Sequence, residues 1–474
     1  MVFRTLAPNA KAVALIWEGG EWEPMPMTRI HDGGVYEITV PDALPGQMYK
    51  YRITPQNPDG ETIDHCDPVR IRHGAAPQAT PPLSVILSSY TFHDRSWMKQ
   101  RSDHRHKPVN IYEVHLGSWM TNPHDENGWY TYEEIAPKLV KYVRENGYNY
   151  IEFMPLSEHP ADCSWGYQNT GFFSPTARYG TAHQLMQLVD TCHQAGIGVI
   201  IDFVPVHFAV DGYALNHYDG TTLYEYPEKG GHLQRMGQLQ FHSRTGRGVQ
   251  LPPVQRLLLA GCLSLRRHPH GCGQPADLLG RRGIPWHQPV QHPVPEAHES
   301  GACTSGYPDA MLIAEDSTNY SGVTKPVEYG GLGFDYKWDM GWMNDTLNYF
   351  RQYPWERKNE YHKLTFSMMY FPQRVLSAPP SPTTKTSTGK RRFCKRCSGS
   401  TNRSSRRHGR STSICTPIRG KSSHSWARSS ASGTSGILPR SSTGICSKTK
   451  KISRPSGFSR TSTAFTIAEP ALGH

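Results

Sequence analysis

The chain has 474 residues, a formal net charge of +11 and no apolar run long enough to span a bilayer, which excludes a helical integral membrane protein and points to two or three domains. The charge is uneven: residues 377–474 hold 19 Lys and Arg against one acid, Glu469, while the remainder holds 32 against 39. A polyanion is therefore not expected as a partner of the mildly acidic body, and nucleic acid is an alternative for the basic tail alone. No secretory leader is visible, since the apolar run Val13 to Trp17 is short and Glu18 follows it, so a cytoplasmic protein is expected. Of ten cysteines, Cys66, Cys163 and Cys192 show no framework spacing, as a reducing compartment would have it. Cys394 and Cys397 form a C-x-x-C with no second pair at zinc spacing, so neither a metal nor a cofactor is implied.

Taken in order, the first hundred residues read as short strands. Residues 12–17 form one, Tyr36, Ile38 and Val40 alternate with Glu37 and Thr39, and Tyr49, Tyr51 and Ile53 alternate with Lys50 and Arg52. Asp32-Gly33-Gly34 and Asp59-Gly60 punctuate them as turns, giving a small β-sandwich over residues 1–105 with its Pro- and Ala-rich lead-out from His73 to Leu83. Trp17 and Trp22 suit either sugar stacking or packing within the sandwich.

From Val109 the period changes. Asn110 to Leu116 is a strand, and Thr131 with Glu134 is a capping box for a helix striped by Ile135, Leu139, Tyr142 and Val143 and stopped at Gly147. A second unit repeats the plan: strand Tyr150 to Met154, capping box Thr181 and Gln184, stripe Leu185, Leu188, Val189 and Cys192, stop Gly196. Gly198 to Ile201 then has no polar alternation, which suits a strand buried on both faces of a parallel sheet. Asp202 and His207 follow its C-terminal end, and Glu315 and Asp316 follow the apolar strand Met311 to Ala314. Sites in barrels and open α/β sheets gather at such strand ends.

The ordered motifs SWGYQ…TGFFSPTARYG, DFVPVHF, LIAEDS and GGLGFDYKWDMGWMNDTL resemble the α-amylase superfamily, and within it the 1,4-α-glucan branching enzymes. The resemblance implies an α/β (β/α)8 TIM barrel, incomplete in this sequence, at residues 106–372, preceded by an immunoglobulin-like carbohydrate-binding module. It implies an α-glucan such as glycogen or amylose as the substrate, cut at an α-1,4 link and transferred to a 6-hydroxyl. Tyr167, Asp202 and His207 resemble the residues that hold the sugar at the cleavage subsite, and Glu315 resembles the general acid/base. Retaining transfer also needs a second carboxylate about 5 Å from the first, to form the glycosyl-enzyme.

The sequence departs from that family twice. The Arg-x-Asp that carries the nucleophile is missing between Glu228 and Pro308, where residues 229–307 contain only Asp277, Glu296 and Glu299 as acids. No Asp occurs beyond residue 370, so the family's His-Asp pair is missing too. Residues 373–474 are basic, Ser- and Arg-rich and too poor in apolar runs to bury a core, so disorder is expected there. Two abrupt losses of pattern, with family text resuming near Pro308, suit translation out of frame, against the rival of an acquired basic tail. The reading is a branching-enzyme-like glucosyltransferase by descent that is inactive as written. The alternatives are a non-catalytic glucan-binding protein and a basic-tailed nucleic-acid binder.

Overall fold

A computed structural model describes residues 1–44, 47–57, 60–68, 90–101, 107–203, 207–225, 311–314, 322–338, 340–353 and 355–362, with short strands at 238–240, 267–270, 375–377 and 421–425. The His73–Leu83 lead-out, the C-x-x-C, and most of 229–307 and 373–474 lie outside the described residues. Two compact units divide the chain, the first holding residues 1–91, 156–186 and 204–259 and the second 92–155, 187–203 and 260–474.

The first unit contains a two-sheet sandwich. One sheet has the order β1 (Val2–Leu6), β5 (Val35–Thr39), β4 (Thr28–His31); the other runs β3 (Met25–Pro26), β2 (Ala10–Trp17), β6 (Tyr49–Pro55), β7 (Ile63–His65). All pairings are antiparallel. Strand β6 shows why: Tyr49, Tyr51 and Ile53 are buried while Lys50, Arg52 and Thr54 are half-exposed, so period-two alternation faces one side of the strand to the core. Phe3, Tyr49 and Tyr51 meet edge to face across the sandwich, and the Tyr49 hydroxyl donates to Asp67 at 2.5 Å. Trp17 belongs to this core, its indole N–H directed at the Met25 sulfur, whereas Trp22 is partly exposed in a left-handed backbone conformation. Gly34 is required at its turn, because its φ is +86° and a Cβ would meet the Pro8 backbone at 2.1 Å.

Residues 207–225 close against the sandwich within the same unit. Asp219 accepts from the Asn9 backbone and side-chain amides at 3.0 Å and from both the backbone N–H and the hydroxyl of Thr221, Thr5 and Tyr218 share a 2.7 Å hydroxyl bond, and the Cys66 N–H donates to the Tyr213 carbonyl.

The second unit is built on eight parallel strands in the order β12 (Gly198–Ile201), β9 (Tyr150–Phe153), β8 (Asn110–Val114), β19 (Lys421–Ser425), β18 (Val375–Ser377), β17 (Tyr336–Trp338), β16 (Met311–Ala314), β15 (Arg267–His270). Its end strands β12 and β15 lie side by side, which makes the sheet a barrel. Val109, Ile111, Tyr150, Ile200, Met311, Ile313, Tyr336 and Trp338 form one buried cluster drawn from five strands, and burial stabilises each such side chain by roughly 1.5–3 kcal/mol. Helix α1 (Arg95–Gln100) adds Trp97 to it. After α2 (Leu116–Trp119), the crossover helices α3 (Tyr132–Glu145) and α4 (Ala182–Gln194) begin at the two expected capping boxes: Thr131 and Glu134 satisfy each other's backbone N–H groups, as do Thr181 and Gln184. Gly147 and Gly196 end them at φ of +73° and +76°.

Three of the eight strands, β15, β18 and β19, come from the segments where the sequence shows no strand pattern. For 373–474 this differs from the expectation of no ordered element. The ladder is made by backbone groups, so a register such as Ser422↔Asn110 to Ser425↔Glu113 forms without an apolar run. Pro269 in β15 contributes no N–H to its ladder. Among the described residues no helix is long and apolar enough to cross a membrane.

Candidate active site

The sugar-holding residues start from the segment after β9. It folds back as a two-stranded ribbon, β10 (Ser157–Glu158) with β11 (Gly171–Pro175), enclosing a turn in which Trp165 takes φ of +57°. A charged cluster holds this ribbon. The Arg178 side chain, 2% exposed, donates to Glu158 at 2.5 Å and to Asp162 at 2.6 Å, while Glu158 also accepts from Thr176 Oγ1, the Ala177 N–H and the His159 N–H. Every buried oxygen of Glu158 is thus answered, which is the condition for burying a charge without loss. Burial, with the Arg178 charge beside it, pushes the His159 imidazole down to about 4, so it is neutral at pH 7, with its ring Nδ1 at 2.9 Å from the Ser157 carbonyl.

Tyr167 sits half-buried at the tip of the ribbon, its N–H donating to the Ser164 carbonyl. β13 (His207–Ala209) comes alongside and pairs with β14 (Gln238–Gln240). His207 Nε2–H donates to the Tyr167 carbonyl at 2.9 Å, and the Ala209 N–H donates to the Asn169 carbonyl. Ser157 and Asn169 are hydrogen-bonded as well. Burial lowers the His207 value below that of an ordinary histidine, which favours the neutral ring, and the Tyr167 carbonyl, which can only accept, sets the proton on Nε2. Tyr167 and His207, forty residues apart, are thereby brought together by backbone as well as side chain.

Asp202 lies in the parallel sheet of the other unit, at the C-terminal end of β12, its N–H donating to the Phe153 carbonyl and its side chain buried. Strand β16 is buried throughout and ends at Ala314. Glu315 itself is outside the described residues. The Glu158–Arg178–Asp162 cluster was not anticipated, although Arg178 stands within the RYG motif. Its signal was an Arg in a loop otherwise free of basic residues. Among the described residues no group of three or more His, Cys, Asp and Glu side chains converges on a cation position.

Comparison with known proteins places these features. Residues 1–69 match carbohydrate-binding module 48 (isoamylase N-terminal domain), and residues 117–221 match the alpha amylase catalytic domain. The fold is similar to that of a putative alpha amylase from Salmonella typhimurium, with a TM-score of 0.74 over 99% of this chain and 85% of that one, at 14% identity. A β-sandwich that matches carbohydrate-binding module 48 is thus followed in sequence by a parallel barrel whose third strand ends in DFVPVHF, within the stretch that matches the alpha amylase catalytic domain. The 1,4-alpha-glucan branching enzyme GlgB of Bacillus caldolyticus is 39% identical over 378 residues, 78% of this chain and 55% of that protein. Those of Corynebacterium diphtheriae and Bacillus subtilis are 39% and 37% identical over the same share of this chain, and 51% and 58% of their own lengths. The chain is similar to these 1,4-α-glucan branching enzymes over 78% of its length, and it spans about half the length of the relatives it matches.

Proposed function

We propose that this chain binds α-1,4-glucan and descends from enzymes that move a glucan segment onto a 6-hydroxyl, but that as written it does not complete the transfer. The observation that carries the reading is the Tyr167–His207 arrangement within a chain related over 78% of its length to branching enzymes. In this reading Tyr167, Asp202 and His207 contact the sugar at the cleavage point. The neutral His207, whose one N–H is held by the Tyr167 carbonyl, offers Nδ1 as an acceptor to a sugar hydroxyl and adds no positive charge where an oxocarbenium-like transition state develops. Glu315 protonates the departing 4-oxygen and then, as carboxylate, takes the proton from the incoming 6-hydroxyl.

Between those two events a second carboxylate has to bond to the anomeric carbon, and the sequence supplies no Arg-x-Asp for it. Without that bond the intermediate cannot form, and the remaining groups bind. An iodine-stain assay on amylose tests this: the stain should stay at its starting maximum while the protein is retarded in a native gel containing amylopectin. A shift toward branched product would overturn the inactivity, and absence of retardation would overturn the glucan reading itself.

A further inference from the structure

Helix α5 (Met340–Arg351) is followed by an unusual pair of rings. Tyr353 and Trp355 stack with centroids 4.7 Å apart and planes 7° from parallel, yet the two residues remain 51% and 66% exposed. Two large rings packed on each other while facing water forgo the burial that normally places them inside, and such exposure marks a binding surface. The turn beneath them is fixed: the Tyr353 N–H donates to Glu356 Oε2, and Arg357 donates to the Phe350 and Gln352 carbonyls while its guanidinium lies over the Phe350 ring. Tyr353 thus backs one face of the Trp355 indole.

We propose that this pair is a docking site for an α-glucan chain. A pyranose presents a face of axial C–H groups with partial positive charge, which suits the negative face of an indole, and a ring of hydroxyls that seeks polar partners at the edge. The surroundings match: Glu356, Lys358 and Asn359 are exposed beside the rings, whereas the core of a protein interface is depleted of charged residues. The segment 353–360 carries two acids, Glu356 and Glu360, and two bases, Arg357 and Lys358, so it has no net charge to attract a polyanion. Because the indole is already oriented, the ligand orders little on arrival.

The choice of α-glucan rests on the functional reading above, and hydroxyl-radical footprinting of the full chain separates the two. With maltoheptaose as probe, oxidation of the peptide containing Tyr353 and Trp355 should fall severalfold, and the same concentration of sorbitol should leave it unchanged. Trp355→Ala, at an exposed position that leaves the fold intact, should weaken retardation by amylopectin about fivefold, and Trp355→Phe should restore most of it. Protection confined to residues 1–69 would overturn this proposal alone, and no protection anywhere would overturn the glucan reading with it. Protection that grows with protein concentration in the absence of glucan would assign the pair to a contact between copies of the chain, and protection by heparin would assign it to a polyanion.

Discussion

Replacing Arg178 by Met removes the one cation from a buried carboxylate while keeping most of the side-chain volume. Breaking a buried pair from one side costs about 3–5 kcal/mol, because the partner charge stays behind without its counter-ion. Glu158 keeps three donors here, Thr176 Oγ1 and the Ala177 and His159 N–H groups, which puts the expected cost near the lower bound, about 3 kcal/mol. The Asp162 contact adds little, since that carboxylate is half-exposed and such pairs contribute at most about 1 kcal/mol. The loss falls on the ribbon that carries Tyr167, so hydrogen exchange at the Thr170 and Ala209 amides, which bond to the Glu158 and Asn169 carbonyls, should accelerate by about two orders of magnitude. Arg178→Met with Glu158→Gln removes both charges and should recover more than half of the loss. A single-variant cost under about 1 kcal/mol, or a double variant no better than the single, would refute the assignment of this pair as the ribbon's anchor.

Histidine 159 has a folded-state value near 4 against an ordinary 6.5, so the unfolded chain binds a proton that the native one refuses. Its stabilising contribution is whole above pH 6.5 and falls as pH drops, by about 2 kcal/mol between pH 6.5 and 5, before the carboxylates titrate appreciably; pH-dependent urea denaturation should lose that slope in His159→Asn. Gly198→Ala should cost at least about 1–3 kcal/mol by the same measurement, since its Cβ would stand 1.8 Å from the Tyr150 ring and 3.0 Å from Trp97, and a neutral result would show that the β9–β12 packing is wrong. Asp219→Ala strips four hydrogen bonds from Asn9 and Thr221 and leaves the Asn9 N–H without its acceptor, so loss of about 2–4 kcal/mol is expected, read as protease sensitivity near residues 5–10.

What could be read from the sequence was whatever is encoded locally. Both capping boxes, the two glycine stops and the Leu185–Cys192 stripe were visible because each needs only residues within about two helical turns. The alternation of β6 was visible for the same reason, whereas β3, β4 and β7 escaped notice: two or three residues at a sheet edge carry no period, and β4 is exposed along its whole length; β1, five residues with alternating burial, carried a signal that was passed over. Strands β15, β18 and β19 had no local signal, and their places come from the parallel ladder around the barrel. In the site, Tyr167 and His207 were legible by resemblance and the structure joins them, but the Arg178–Glu158 pair was not, because the carboxylate lies twenty residues upstream and meets the guanidinium only after the ribbon reverses.

The central claim, that the chain holds α-glucan without transferring it, is tested most directly by following amylose anomeric protons by NMR in the presence of the full chain. The account predicts line broadening of the α-1,4 anomeric signal on addition of protein, with the α-1,6 signal staying at the level of a protein-free control over hours. Growth of the α-1,6 signal would contradict it by showing that a nucleophile is supplied, and sharp, unshifted α-1,4 lines at saturating protein would contradict it by showing that no glucan is held.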